Sequence, residues 1–315
     1  MRTRMDRGAG GGEGSAVGHL IHIGYPKTGS SFLRSWYRSH PQLAFTDRGF
    51  AGYSEPEAIS RSTFAPPRPL RYRVTSAEGL ATPSAQAGLA RRSGVPEIPD
   101  TFAGQQDLAC ARLAEIFPNA RILLVLRGIR SLLPSLHSQY LRVGGTLDFT
   151  GFCDAWVAAL GADRRLWDYD YLVALYRRTF GAENVIVMPF ELLQADPAAF
   201  TGALEARLGL APHPPAPKRI NPALSPAEHV WYPVLTRQML RLPGPIGRTV
   251  RPRFLRAIRH GRGRGLAAAL QRLRPRPIGF DPEAIERVAA VWNGRGASLT
   301  EDPLFAPFRS AYRAE

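Results

Sequence analysis

HLIHIGYPKTGSSFLRSW, residues His19 to Trp36, sets the architecture expected of the rest of the chain. Leu20, Ile21, Ile23 and Tyr25 form a short apolar run of strand type. Pro26 to Ser31 is a turn of small residues, and Phe32 to Tyr37 places apolar side chains at helical spacing. The order is strand, tight loop, helix. A loop of this kind presents several backbone N–H groups at a helix N-terminus, where the positive end of the helix dipole adds to the Lys27 ammonium and to the hydroxyls of Thr28, Ser30 and Ser31. That is a cradle for an anion, with phosphate the usual guest.

Moving outward, Leu70 to Thr75 alternates like a short strand, and Arg121 to Arg127 (RILLVLR) and Asn184 to Phe190 (NVIVMPF) are near-continuous apolar runs suited to parallel strands buried on both faces. Helical patterns separate them at Asp100–Phe117, Arg130–Tyr140, Asp154–Leu160 and Leu166–Thr179, and another follows Asp196-Pro197 as far as Leu210. Alternating strands and helices predict an α/β fold of three layers, a central parallel sheet flanked by helices. Trp156, Trp167, Tyr171 and Tyr176 read as core aromatics.

The run Pro26-Lys27-Thr28-Gly29-Ser30-Ser31 resembles the 5′-phosphosulfate loop of sulfotransferases that use 3′-phosphoadenosine 5′-phosphosulfate (PAPS) as donor, roughly P-K-[ST]-G-[ST]-[ST]. In that family a later strand ends in Arg, and a Ser eight residues on holds the donor's 3′-phosphate with it; Arg127 and Ser135 have that spacing. The block from Asn184 to Pro197 is similar to the family's V-x-V-x-x-[YF]-E-x-L-x-x-D-P scaffold segment, which makes Glu191 structural. Lys218 to Ser225 resembles an R-x-N-x-x-x-S stretch of bacterial members, which points Asn221 and Ser225 at the donor; Ser225-Pro226-Ala227-Glu228 equally reads as a helix N-cap.

The resemblance implies a P-loop-like fold and sulfuryl transfer from PAPS to a hydroxyl acceptor, leaving 3′-phosphoadenosine 5′-phosphate (PAP), with no metal required. Lys27 becomes the electrostatic catalyst, and Thr28, Gly29, Ser30 and Ser31 the holders of the 5′-phosphate. The base lies between the two donor motifs, where the chain has Glu55, Glu57, Glu78, Glu97 and His40. Glu78, just after the Leu70–Thr75 strand in a Thr-Ser-Ala-Glu-Gly setting, is the favoured one, since open α/β sheets place chemistry beyond the carboxyl ends of their strands. His22 and His137 read as structural, His137 having the acceptor side as its alternative.

Composition sets the remaining bounds. Of 315 residues 44% are hydrophobic, enough for a single large domain over 19–315, with 1–18 a disordered tail, 40–100 an acceptor-side insertion and 226–315 a basic helical part. Two cysteines, Cys110 and Cys153, are too few for a disulfide framework and read as buried thiols. The net charge of +15 predicts attraction to anions. From Arg237 to Arg276 there are twelve arginines and no acidic residue, so an anionic membrane surface is a candidate partner, while no nucleic acid is expected. The expected setting is the cytoplasm, with the inner membrane face as its candidate peripheral site. Two competing readings are a P-loop kinase, which needs a lysine after the glycine and a metal-holding acid where Arg127-Gly128 stands, and a basic binding module on an inactive nucleotide fold.

Overall fold

The computed structural model describes residues 17–45, 70–82, 101–214 and 224–313. Its sheet is built from β1 (Gly18–His22), β2 (Leu43–Phe45), β3 (Tyr72–Ser76), β4 (Arg121–Leu126) and β5 (Val185–Pro189), in the order β2-β3-β1-β4-β5. Every pairing is parallel. Successive side chains of a strand point to opposite faces. Ile21, Ile122, Leu124, Val185 and Val187 accordingly enter one core, and Leu20, Leu123, Val125, Ile186 and Met188 enter another.

The first core is closed by α2 (Phe102–Ile116), α3 (Ile129–Arg142), α4 (Phe149–Ala162), α5 (Tyr169–Phe180) and α11 (Pro282–Trp292). The second is closed by α1 (Ser30–Ser39), α6 (Phe190–Ala195) and α7 (Pro197–Leu208). This is the three-layer α/β architecture that the alternation predicts. A third, smaller core sits where α8 (Pro226–Arg241), α9 (Gly244–Arg259) and α10 (Arg264–Leu273) meet Leu141 at the end of α3. The short α12 (Arg309–Tyr312) returns to the first core through Tyr312, joined by Phe305, with Leu304 and Phe308 packed alongside.

Strand order places the working end of the sheet. The chain leaves β1 toward β2 and β3 on one side and crosses to β4 and β5 on the other, so the direction reverses between β1 and β4. Ligands of open α/β sheets bind outside the strand ends at such a point. β1 and β4 are in register there, with His22 opposite Leu123 and Ile23 N–H donating to Leu123 O at 3.0 Å.

Several elements differ from the sequence reading for local reasons. α4 begins at Phe149, five residues before Asp154, because Asp148 accepts from Gly151 N–H as its N-cap; α5 begins at Tyr169 rather than Leu166 because Asp168 caps it from Tyr171 N–H. Tyr171 is not a core aromatic: its hydroxyl meets Asp107 and its ring lies under Arg165 at the surface, whereas Trp167 and Tyr176 are buried. Both cysteines are free and buried. Ser225 is an N-cap, its side chain accepting from Glu228 N–H while Glu228 Oε2 accepts from Ser225 N–H at 2.6 Å.

Candidate active site

The loop between β1 and α1 has an uncommon backbone. Lys27 takes φ 67°, rare for a side-chain-bearing residue, and Gly29 takes φ 90°. Together they turn the chain so that Thr28, Gly29, Ser30 and Ser31 stand ahead of the first helical hydrogen bonds, which Phe32 and Leu33 N–H make to Gly29 O. Ser30 is buried with its hydroxyl unpartnered among the described residues, a polar atom that the fold has desolvated without satisfying. Ser31 is exposed. The Thr28 hydroxyl is already used: it donates to Tyr25 O at 2.6 Å and closes the turn, leaving the backbone N–H as what this residue can offer an anion.

The second half of the site follows β4. Arg127 reaches across the switch point, its Nη1 donating to Lys27 O at 3.0 Å and its Nε to Ser131 Oγ at 2.9 Å, with the guanidinium 4.4 Å above the Phe190 ring. Burial pulls its pKa below the ordinary value, and the nearby Glu191 carboxylate opposes that pull. No acceptor among the described residues meets the Nη2 group, so this edge of the planar fork is what an anion would meet. Ser135 is half-buried one turn beyond Ser131 on α3, so Ser131 and Ser135 share a helix face.

A frame of side chains fixes Arg127 from behind. Tyr169 OH donates to Arg127 O at 2.9 Å; Glu191 Oε1 accepts from Gly128 N–H at 2.9 Å; and Tyr312 OH lies 2.6 Å from Glu191 Oε2 and 2.9 Å from Leu126 O. Burial, reinforced by the Glu191 charge, keeps the Tyr312 hydroxyl protonated by raising its pKa well above the usual phenol value. Glu191 is thus structural, as its place in the scaffold block implies. Ser131, Tyr169 and Tyr312 are partners that sequence reading missed; only the Arg-x-x-x-Ser spacing of Arg127 and Ser131 carried a local signal.

The other residues divide cleanly. Glu78 opens a 3-10 turn directly after β3, whose end is tied to β1 by Ala77 N–H donating to His22 O at 2.9 Å, so its backbone stands at the same edge of the sheet as the Lys27 loop. Asn221, Glu55, Glu57 and Glu97 lie outside the described residues. His40 is fully buried, its Nδ1 accepting from Gln42 N–H and its Nε2 facing Ala211 O, so it has no free nitrogen for a base. His137 is held between Leu147 O and His229 Nδ1, a structural role rather than an acceptor-side one.

Lys27 combines strain with charge, which yields a separable prediction. Lys27→Gly removes the left-handed penalty of about 1–2 kcal/mol, partly offset by glycine's chain entropy, so the urea midpoint is expected to hold or rise. The same variant keeps the carbonyl that Arg127 uses but loses the ammonium, and calorimetry with PAP is expected to show affinity lower by about tenfold. A variant that loses stability and affinity together would place Lys27 in the scaffold instead.

Residues 107–214 match the model of the Sulfotransferase family. That segment contains β4, Arg127, Ser135, β5 and Glu191, while the Lys27 loop precedes it. Among solved structures, a sulfotransferase from Alicyclobacillus acidocaldarius aligns at 20% identity and TM-score 0.44 over 71% of this chain and 96% of its own. Mouse sulfotransferase SULT7A1, complexed with PAP, aligns at 14% identity and TM-score 0.38 over 72% of this chain and 68% of its own. No curated protein matches. Residues 107–214, about a third of the chain and the part where the Arg127 half of the site resides, are thus similar to the Sulfotransferase family.

Proposed function

We propose that the protein transfers a sulfuryl group from PAPS to a hydroxyl acceptor. The observation that carries this reading is the 3.0 Å bond from Arg127 Nη1 to Lys27 O: the two half-motifs touch at the switch point, close enough for one adenosine bisphosphate to meet both. The donor set suits such a guest. Loop N–H groups and the unpartnered Ser30 hydroxyl suit the 5′-phosphate, and the Arg127 fork with Ser135 suits the 3′-phosphate.

PAPS, when bound, supplies the activated sulfuryl group on its 5′-phosphate. Lys27 then offers its ammonium to the charge that grows on the leaving oxygen, an electrostatic role that is large in a site shielded from water. Glu78 is the proposed base for the acceptor proton, its chain position at the loop's edge of the sheet being the support. Asn221 stays a proposed donor contact. The proposed transfer uses no metal, its growing charge being met by Lys27 and the loop. The acceptor class is a glycan, glycolipid or natural product, handled in the cytoplasm where a nucleotide donor is made.

Calorimetry of the full chain tests the donor. PAP is expected to bind without metal and at least about tenfold more tightly than ATP with Mg²⁺. Preference for ATP with Mg²⁺ would return the protein to the P-loop kinase reading, and failure of both nucleotides would leave the basic binding module.

A further inference from the structure

We propose that the α8–α10 unit docks on a bilayer with anionic headgroups, α10 inserting an aliphatic stripe and the surrounding arginines pairing with lipid phosphates. The unit is strongly basic: Glu228 is its one acidic residue, and twelve arginines with no Asp or Glu occur from Arg237 to Arg276. Among the described residues three of the twelve have side-chain partners, Arg251 on the carbonyls of Met239, Leu240 and Leu242, Arg264 on Glu228 and Arg276 over Trp231. The remaining arginines are all exposed.

Charge alone would describe a solvated surface, but the apolar residues argue further. Four of the ten exposed large apolar side chains among the described residues, Leu240, Ile246, Leu266 and Leu273, fall within this one unit, and Ile278 follows just after it. On α10, Ala267 and Leu270 pack into the small core, while Leu266, Ala269 and Leu273 repeat at i, i+3 and i+7 and face outward, Leu273 being 78% exposed. On α9, Ile246, Thr249, Arg253 and Arg256 form an equivalent outward row opposite buried Ile258. A helix with one face in the protein and an aliphatic stripe rimmed by arginine on the other suits the boundary between headgroups and acyl chains.

Alternative occupants fit less well. A second copy would bring a net charge of +15 against +15. Nucleic acid would satisfy the arginines and leave the leucines in water. No helix among the described residues is long and apolar enough to cross a membrane, so the attachment is to the surface. The unit shares its core with Leu141 of α3, the helix that carries Ser131 and Ser135, so a docked unit would hold the donor site near the bilayer. The docking itself does not depend on the donor assignment.

Sedimentation of the full chain with vesicles decides the matter, using phosphatidylcholine alone and phosphatidylcholine mixed with phosphatidylglycerol. Binding is expected on the mixed vesicles, at least about tenfold above that on neutral ones. Leu266→Ser with Leu273→Ser is expected to lower it by about tenfold or more; Arg253→Glu with Arg256→Glu is expected to do the same and to make what binding remains less sensitive to salt. The altered side chains are exposed, and unchanged circular dichroism verifies the fold. Equal binding to neutral vesicles, or anionic binding indifferent to the leucine pair, overturns the proposal. Retention on duplex DNA with no vesicle binding overturns it in favour of nucleic acid.

Discussion

Arg127→Ala is expected to weaken PAP binding by about 30- to 100-fold in calorimetry. A charge-assisted hydrogen bond is worth about 1.5–3 kcal/mol, which corresponds to roughly 10- to 150-fold in affinity. The guanidinium does two jobs, presenting its free edge to the ligand and tying Lys27 O to the end of β4, so its removal loses a contact and loosens the loop that makes the others. Arg127→Lys should recover charge without the fork: a single ammonium cannot hold Lys27 O, Ser131 Oγ and a phosphate in one plane, and a loss of about tenfold is expected to remain. Ser135→Ala, which deletes a neutral donor, should cost less, about three- to tenfold. Affinity within threefold of the parent in Arg127→Ala, with the fold intact, would remove the 3′-phosphate role.

How much of this could be read from the chain depends on the range of each interaction. Strands buried on both faces announce themselves locally, so β4 and β5 lie within a residue or two of the apolar runs RILLVLR and NVIVMPF. The loop after β1 was legible because its backbone demands and its chemistry coincide in six consecutive residues. The frame around Arg127 was not. Tyr169 lies 42 residues away and Tyr312 lies 121 residues from Glu191, and nothing in their own neighbourhoods says that their hydroxyls end on a carbonyl or a carboxylate. Tyr171 misled because helical spacing of aromatics is the same for a core face and for a face that pairs with Asp107 and Arg165 at the rim. Thr28 has a hydroxyl in the right place by pattern, yet the tight turn spends its proton on Tyr25 O. In each case the residue type was visible and the competing partner was not.

Gly29→Ala is the variant expected to damage the protein most. Gly29 sits at φ 90°, where an L side chain pays about 1–2 kcal/mol, and a Cβ built on it would stand 2.4 Å from Leu193 Cδ2 and 3.4 Å from the Phe190 ring. Forcing an extra methyl into that contact adds about 1–3 kcal/mol, so the unfolding free energy should fall by about 2–5 kcal/mol in urea titrations. Leu193 is buried on α6, packed in the second core, so relief of the clash means either turning that side chain against its core neighbours or shifting the helix that also carries Phe190 and Glu191, the supports of Arg127. Donor binding should therefore fall along with stability. A double-mutant cycle separates the two costs. Leu193→Ala opens the space at about 2–5 kcal/mol of its own, and Gly29→Ala added to it should cost only the backbone penalty of about 1–2 kcal/mol, leaving a coupling of about 1–3 kcal/mol. Additivity of the two substitutions would mean that the loop and α6 do not press on each other, and the route from the second core to the phosphate cradle would be lost with it.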